Sequence, residues 1–384
     1  MSNRVINRTT VGRFMTDTFP FGLEEEYFLI DAQTKSVARS MPKAFLEAAK
    51  AATGGRVGGE FLQSQVEART EPHTDLAKAR DELRALRQTV ASIAAEYGLA
   101  ILAAGTHPTA DWGKSRQTLN DRYDVVMHDL QMIGRRNMLC GLHVHVELPD
   151  PDERVSVMTR MLPYLPLFVA LATSSPFWRS RSTGLKGYRL AAYDELPRTG
   201  VPELFHTKAE FDAYVAALVR AGVIEDSSFV WWAMRPSLGH PTLELRAPDC
   251  CTLVDDSVAI AALYRTLARR LVHNPWLNAD LTAVSRAVVV ENKWRAQRYG
   301  VHGTFVSEKG AVTVAEMLDQ VIEEVACDAE HLGCIEELRR CRTIASSGTS
   351  ADAQLAVFEA NWRADGEEPA LRAVTDWIAA ATLQ

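Results

Sequence analysis

The chain has 384 residues, enough for one large domain or two of ordinary size, and with 47% hydrophobic and 24% charged residues it has the make-up of a globular protein with a sizeable core. Its 42 Lys and Arg against 49 Asp and Glu leave a net charge of -7, which argues against a nucleic-acid binder and leaves room for a small anionic substrate in a locally positive site. Six cysteines with no Cys-x-x-Cys pair are too few for a disulfide scaffold and read as the reduced thiols of a cytoplasmic protein.

In chain order, residues 1–16 read as an N-terminal tail, since no apolar stretch follows Arg4, Arg8 and Arg13 to make a secretory signal. Residues 21–31 read as a strand, and the glycines at 54, 55, 58 and 59 as a tight loop into a second extended segment over 60–70. Leu76, Leu83, Leu86, Val90, Ile93 and Tyr97 keep helical spacing, so an amphipathic helix is expected over 74–97, ended by Gly98. Residues 99–104 read as a short buried strand and 139–148 as an alternating one. Helices are expected over 155–173 and 209–221. Residues 161–178 carry no charge, but Pro163, Pro166 and Pro176 make them a buried core segment and not a membrane span. A hairpin is expected from 229–235 and 242–247, and mostly helix from 255 onward. Strands in hairpin-like pairs with no regular βαβ period favour an α+β fold, a largely antiparallel sheet backed by helices. Neither a Gly-rich dinucleotide fingerprint nor a P-loop is present, so a nucleotide must be held some other way.

Polar residues inside these strands carry the chemistry. Period-two alternation puts Glu24 and Glu26 on one face of the first strand and Glu25 on the other. Two carboxylates so spaced repel unless a cation lies between them, so the pair reads either as a metal site or as a solvated acidic edge. In 139–148, Gly141, His143, His145 and Glu147 share one face, either as a cleft floor or as hydrogen-bonded structural histidines; Cys140 has the wrong parity to join them. Glu60 and Glu67 are seven residues apart, so a straight strand would put them on opposite faces, and only a bulge or break would let both reach one site. Glu67 also has an easy structural partner in Arg69. Glu244 and Arg246 share a face, as ligand and anion contact or as a salt bridge, and Arg235 precedes Pro236 at the hairpin entrance. Lys293 and Arg298, on a helix end closing at Gly300, either bind anionic oxygens or line a solvated face. Oxygen-rich ligands suit Mg2+ or Mn2+ better than zinc, and carboxylates, divalent ions and arginines around a cleft are what a triphosphate needs where no P-loop exists.

The segments 22–27 (GLEEEY), 140–146 (CGLHVHV), 235–237 (RPS), 243–249 (LELRAPD) and 291–295 (ENKWR), in this order over nearly the whole chain, resemble the YbdK-type carboxylate–amine ligases, the second family of glutamate–cysteine ligases. The resemblance implies a single glutamine-synthetase-like domain over 17–384, whose curved, mainly antiparallel sheet holds ATP and Mg2+ (or Mn2+) on its concave face, with helices on the convex side. It implies Glu24, Glu26, Glu60, Glu67, His143 and Glu244 as metal ligands, Arg235 and Arg246 as catalytic groups on the transferring phosphate, and Lys293, Arg298 and His145 as nucleotide contacts. Glu147 departs from the pattern, where a small residue is commoner, and His302 carries no family role. The implied reaction joins a carboxylate, that of glutamate, to an amine through an acyl phosphate, releasing ADP and phosphate. Cysteine is the eponymous amine, and weak glutamate–cysteine ligase activity is one expectation. Two other classes remain open, a metal-dependent hydrolase using His143 and His145 and a non-catalytic nucleotide-binding regulator. No nucleic-acid or membrane partner is expected. A homodimer fits the family, while Cys327, Cys334 and Cys341 at heptad spacing fit a helix seam or plain core equally well.

Overall fold

The structure, a computed structural model, describes residues 17–114, 116–118 and 121–384. The expected tail over residues 1–16 lies outside the described residues.

The strands are β1 (Phe21–Asp31), β2 (Val57–Gly59), β3 (Gln65–Arg69), β4 (Leu99–Leu102), β5 (Leu142–Glu147), β6 (Phe177–Trp178), β7 (Arg181–Ser182), β8 (Met234–Pro236), β9 (Thr242–Leu245), β10 (Thr304–Ser307) and β11 (Gly310–Thr313). Seven of them form one antiparallel sheet in the order β2-β3-β1-β5-β9-β8, with β4 also on β1. The first half of β1 pairs with β5 (Phe21 opposite Val146, Glu25 opposite Leu142), and its second half leaves β5 for β4 (Phe28 opposite Leu102, Asp31 opposite Leu99). The β6–β7 and β10–β11 hairpins stand apart.

The alternation read from sequence decides which face is covered. Phe21, Leu23, Leu142, Val144, Val146, Leu243 and Leu245 point to the back of the sheet and share one core with the helices Leu76–Glu96, Arg154–Met161 and Val254–His273. A second core gathers Tyr27 to Ile30 with the helix Lys43–Ala52 and with Leu371, Val374 and Ile378 of the helix Glu367–Ala381. The α+β architecture, a largely antiparallel sheet backed by helices, is therefore as expected.

Several boundaries moved, each for a local reason. The helix over 74–97 runs from Leu76 to Glu96, with the Asp75 side chain accepting from the Ala77 and Lys78 N–H groups, and Gly98 leaves it at φ +69. The expected helix over 155–173 is cut into Arg154–Met161, a 3-10 turn at Leu162–Tyr164, and Leu165–Leu171, because Pro163 and Pro166 cannot donate to a continuous ladder. Among the described residues no helix is long and apolar enough to cross a membrane. The helix Lys208–Arg220 starts on a capping box of Thr207 and Glu210.

The first arm of the expected hairpin shrinks to Met234–Pro236. Asp226 nucleates a 3-10 turn at Ser227–Phe229, and the Trp231 and Ala233 N–H groups bond to Arg198 and Gly200 carbonyls instead of continuing the ladder. The β10–β11 hairpin interrupts the region expected to be mostly helical. Cys327 is exposed on the helix Ala326–Leu332, and the left-handed Gly333 breaks the chain before buried Cys341 on Ile335–Ser347. The three cysteines therefore form no seam on one helix. The extended segment over 60–70 is instead a reversal: β2 ends at Gly59, the chain turns through 60–64 with the Gln65 N–H bonded to the Leu62 carbonyl, and β3 returns antiparallel.

Candidate active site

That reversal places Glu60 beside Glu67 on the front of the sheet, where the strand registers assemble the other polar residues. Glu26 stands opposite Glu67, Glu24 opposite His143, His145 opposite Glu244, and Glu244 opposite Arg235. Side chains at such positions lie about 5 Å apart on one face, so the strands alone bring acid, imidazole and guanidinium together.

The two histidines stand between the acids. His143 Nδ1 is 3.3 Å from Glu24 Oε2 and its Nε2 is 3.9 Å from Glu26 Oε1. His145 Nε2 is 3.6 Å from Glu24 Oε1 and 3.9 Å from Glu244 Oε1, while Nδ1 is 2.8 Å from the Thr242 hydroxyl. Both Nε2 atoms are buried and have no hydrogen-bond partner among the described residues. Glu26 Oε2 accepts the Gly141 N–H. Glu244 is 2% exposed and accepts from Arg235 Nε at 2.6 Å and from Arg246. A second Arg235 nitrogen donates to the carbonyls of Ser228 (2.9 Å) and Val230 (3.1 Å).

The acids divide by their partners. Burial works against ionised Glu24, but the His143 hydrogen bond and the closeness of both imidazoles outweigh it and hold the carboxyl well below the usual carboxylate range. Glu244 behaves alike, burial being overcome by Arg246 and Arg235. At the other end of the row, burial and the charge of Glu26 push Glu60 up to about 8, and burial with Glu24 and Glu60 holds Glu67 well above its ordinary value even though Arg69 Nε lies 3.4 Å away. Burial and Arg246 lower His143; His145 is raised, the nearby Glu24 and Glu244 carboxylates outweighing burial. The Glu60–Glu67 end is crowded with negative charge, and the Glu244 end is already neutralised.

A cavity of about 410 Å3 opens over this face, walled by Phe61, Val126 and Leu130 on one side and by Tyr193, Trp231 and His240 on the other. Every sequence-predicted residue but two lines it: Glu24, Glu26, Glu60, Glu67, His143, His145, Arg235, Glu244 and Arg246. Lys293 and Arg298 stand off its wall. Lys293 is buried with its Nζ 2.5 Å from Asp194 Oδ2, next to the wall residue Tyr193, and the Arg298 guanidinium lies over the Tyr299 ring at 5.1 Å. Glu147 is exposed at the end of β5, and His302 pairs with Asp352 at 3.3 Å.

Tyr193, Trp231 and His240 were not singled out in the sequence: Tyr193 and His240 sit outside the patterned strands, Trp231 lies in the part of the expected hairpin arm that is not strand, and all three reach the cavity through tertiary packing. Two sets of donor atoms lie close enough to share a cation, each within 4.8 Å: Glu24, Glu67 and His143, and Glu24, His145 and Glu244.

A model of the glutamate–cysteine ligase family 2 matches residues 20–374. A relative from Bradyrhizobium sp. (strain ORS 278), named "Putative glutamate–cysteine ligase 2", is 57% identical over 380 residues, covering 99% of this chain and 92% of the relative. One of the same name from Rhodospirillum rubrum is 44% identical over 373 residues, covering 95% and 96%. Among solved structures, the glutamate–cysteine ligase of Francisella tularensis in complex with AMP superposes with a TM-score of 0.67 at 12% identity, over 95% of this chain and 89% of that one. The bifunctional glutathione synthetase of Pasteurella multocida gives 0.68 at 16% identity, over 95% of this chain and 53% of that one. At these identities the two structures establish a shared fold.

Proposed function

The chain belongs to glutamate–cysteine ligase family 2, ATP-dependent enzymes that form C–N bonds on a glutamine-synthetase-like fold, and from that premise we propose that it joins the side-chain carboxylate of glutamate to an amine through an acyl phosphate. The observation that carries this reading is the carboxylate row itself. Acids that repel one another stand beside two buried imidazole nitrogens with no partner among the described residues, and two arginines close the end of the row.

The donor set fits divalent cations. The unpartnered Nε2 atoms of His143 and His145 each point among carboxylates, and the high-lying Glu60 and Glu67 carboxyls are those that a cation would ionise. Glu24, Glu67 and His143 would hold one ion and Glu24, His145 and Glu244 another, with Glu26 and Glu60 alongside. Bound there, Mg2+ or Mn2+ would neutralise the phosphate oxygens that otherwise repel an anionic nucleophile.

The chain's own residues do the rest. The glutamate carboxylate attacks the γ-phosphorus of ATP, ADP leaves, and the amine then displaces phosphate from the acyl phosphate. Arg235 and Arg246 would stabilise the charge that develops on the transferring group, and Glu244, with the loop carbonyls on Arg235, holds them in advance. Tyr193 lies near Arg246 and favours its charged form. Lys293 is paired with Asp194, next to Tyr193 in sequence, and stands off the cavity. The walls of Phe61, Val126, Leu130 and Trp231 limit the water around the acyl phosphate. The reading treats residues 17–384 as a single domain of a cytoplasmic enzyme.

The test is ADP release from Mg-ATP with glutamate across an amine library that includes cysteine. Release that needs both carboxylate and amine supports the ligase. Release from neither, with ATP bound, overturns it, and hydrolysis without ATP would point to the metal-dependent hydrolase.

A further inference from the structure

Arg189 does not itself line the cavity, yet three supports of the site meet on its guanidinium. It lies at 3% exposure at the start of the short helix Tyr188–Tyr193, where its own N–H donates to the Ser175 hydroxyl at 2.9 Å. One terminal nitrogen donates to the carbonyls of Arg246 (3.3 Å), Ala247 (3.4 Å) and Pro248 (3.1 Å), the strap that follows β9. The guanidinium carbon stands 5.7 Å over the ring of Tyr193. The other terminal nitrogen packs on Gly141, where an added Cβ would come within 2.1 Å of it. Gly141 in turn gives its N–H to Glu26 and its carbonyl to the Glu26 N–H at 3.1 Å. A flexible arginine end normally swings out of such a clash, but this one is buried and held by the strap carbonyls.

We propose that Arg189 is the positioning residue of this site, setting Glu26 through Gly141 and Arg246 through the 246–248 strap and Tyr193. The proposal rests on the ligase reading above. It explains why residue 141, inside an otherwise alternating strand pattern, is glycine: the guanidinium occupies the space of a side chain. It also separates two kinds of cation around the row. Arg235 and Arg246 face the substrate, whereas Arg189 packs against the backbone on which Arg246 and Glu26 depend.

The experiment compares wild type, Arg189→Met, Arg189→Lys and Gly141→Ala for ADP release, for Mn2+ binding and for thermal unfolding. A displacement of about 1 Å in catalytic groups costs on the order of a hundredfold in rate. Arg189→Met and Gly141→Ala are therefore expected to lose about that much in kcat and about tenfold in Mn2+ affinity, with KM for ATP within about threefold. Arg189→Lys, which can still donate to the strap, is expected to recover part of the kcat loss.

A folded Arg189→Met with kcat and Mn2+ affinity within threefold of wild type overturns the proposal. Losses that match the unfolded fraction in both variants do the same. Gly141→Ala keeps Arg189 and all its charge, so it decides the matter if Arg189→Met does not fold. If wild type itself neither binds Mn2+ nor releases ADP, the ligase reading falls and takes this role with it; variants that behave like an active wild type sink the positioning role alone.

Discussion

Strand β1 carries three consecutive glutamates, and the two sides of the strand treat them in opposite ways. On the back, Glu25 is fully buried and fully matched. Arg87 donates to both its oxygens at 2.8 and 2.7 Å, the Tyr27 hydroxyl at 2.6 Å, and the Ser257 hydroxyl adds a fourth bond. Arg87 spends its remaining donors on the carbonyls of Thr252, Cys251 and Thr382. On the front, Glu24 and Glu26 face histidines with open nitrogens and a pair of crowded acids. Residue type and position in sequence are nearly the same; what differs is whether the surrounding groups complete the charge. A completed buried network belongs to the fold, and an incomplete one marks a place for a ligand.

Substitutions break or sharpen this contrast. The largest effect on folding is expected at the back: Arg87→Met strands a buried carboxylate and should cost about 3–5 kcal/mol, read as a lower denaturant midpoint. The front should show the inverse. Glu24→Ala is expected to cut ADP release on the order of a thousandfold while the protein still folds, its unfolding midpoint falling by less than that of Arg87→Met because Glu24 also gives up its repulsion of Glu67. Near-normal turnover in that folded variant would show that the front is as structural as the back.

A middle-sized effect concerns pH. The Glu60 carboxyl titrates near 8 in the fold against an ordinary 4.5, so the unfolded chain loses that proton first. The stability of the protonated fold is complete below about pH 4.5 and drains away as pH rises toward 8, by on the order of 3 kcal/mol at pH 7. Metal-free protein should therefore melt progressively lower over that window, added Mg2+ should flatten the slope, and Glu60→Gln should reduce it to the part that the raised Glu67 carboxyl contributes. The smallest effect is at Arg298: stacked on Tyr299 and away from the cavity wall, Arg298→Ala should change ADP release less than about threefold. A larger loss would bring the end of that helix into the site.

Strand parity made much of this legible from sequence. It separated Glu25 from Glu24 and Glu26, put His143 with His145, and grouped Glu244 with Arg246. Glu60 and Glu67 show where parity stops: spacing alone forbade a shared face, and the turn that brings them together depends on a backbone bond between residues 62 and 65. Arg87, Arg189, Tyr193 and Trp231 left no periodic trace, because their partners lie far away in sequence. A single signal pointed toward one of them, the glycine at 141 inside an alternating run, which marks a close approach by another group.

The Glu25–Arg87 network also bears on how the protein is made. Arg87 and the Thr382 carbonyl it binds are 295 residues apart. At about 5–20 residues per second, translation leaves roughly 15 to 60 s between the synthesis of one and of the other. Through that interval the arginine under β1 has a carboxylate but not its full set of carbonyls, and Thr382 has yet to accept the Ala103 N–H. The front of the sheet can be laid down early from residues 21–147 and 234–246, while its back is sealed only when residue 382 arrives. Nascent chains stalled before that point should hold a recognisable sheet and still be the preferred prey of chaperones and proteases.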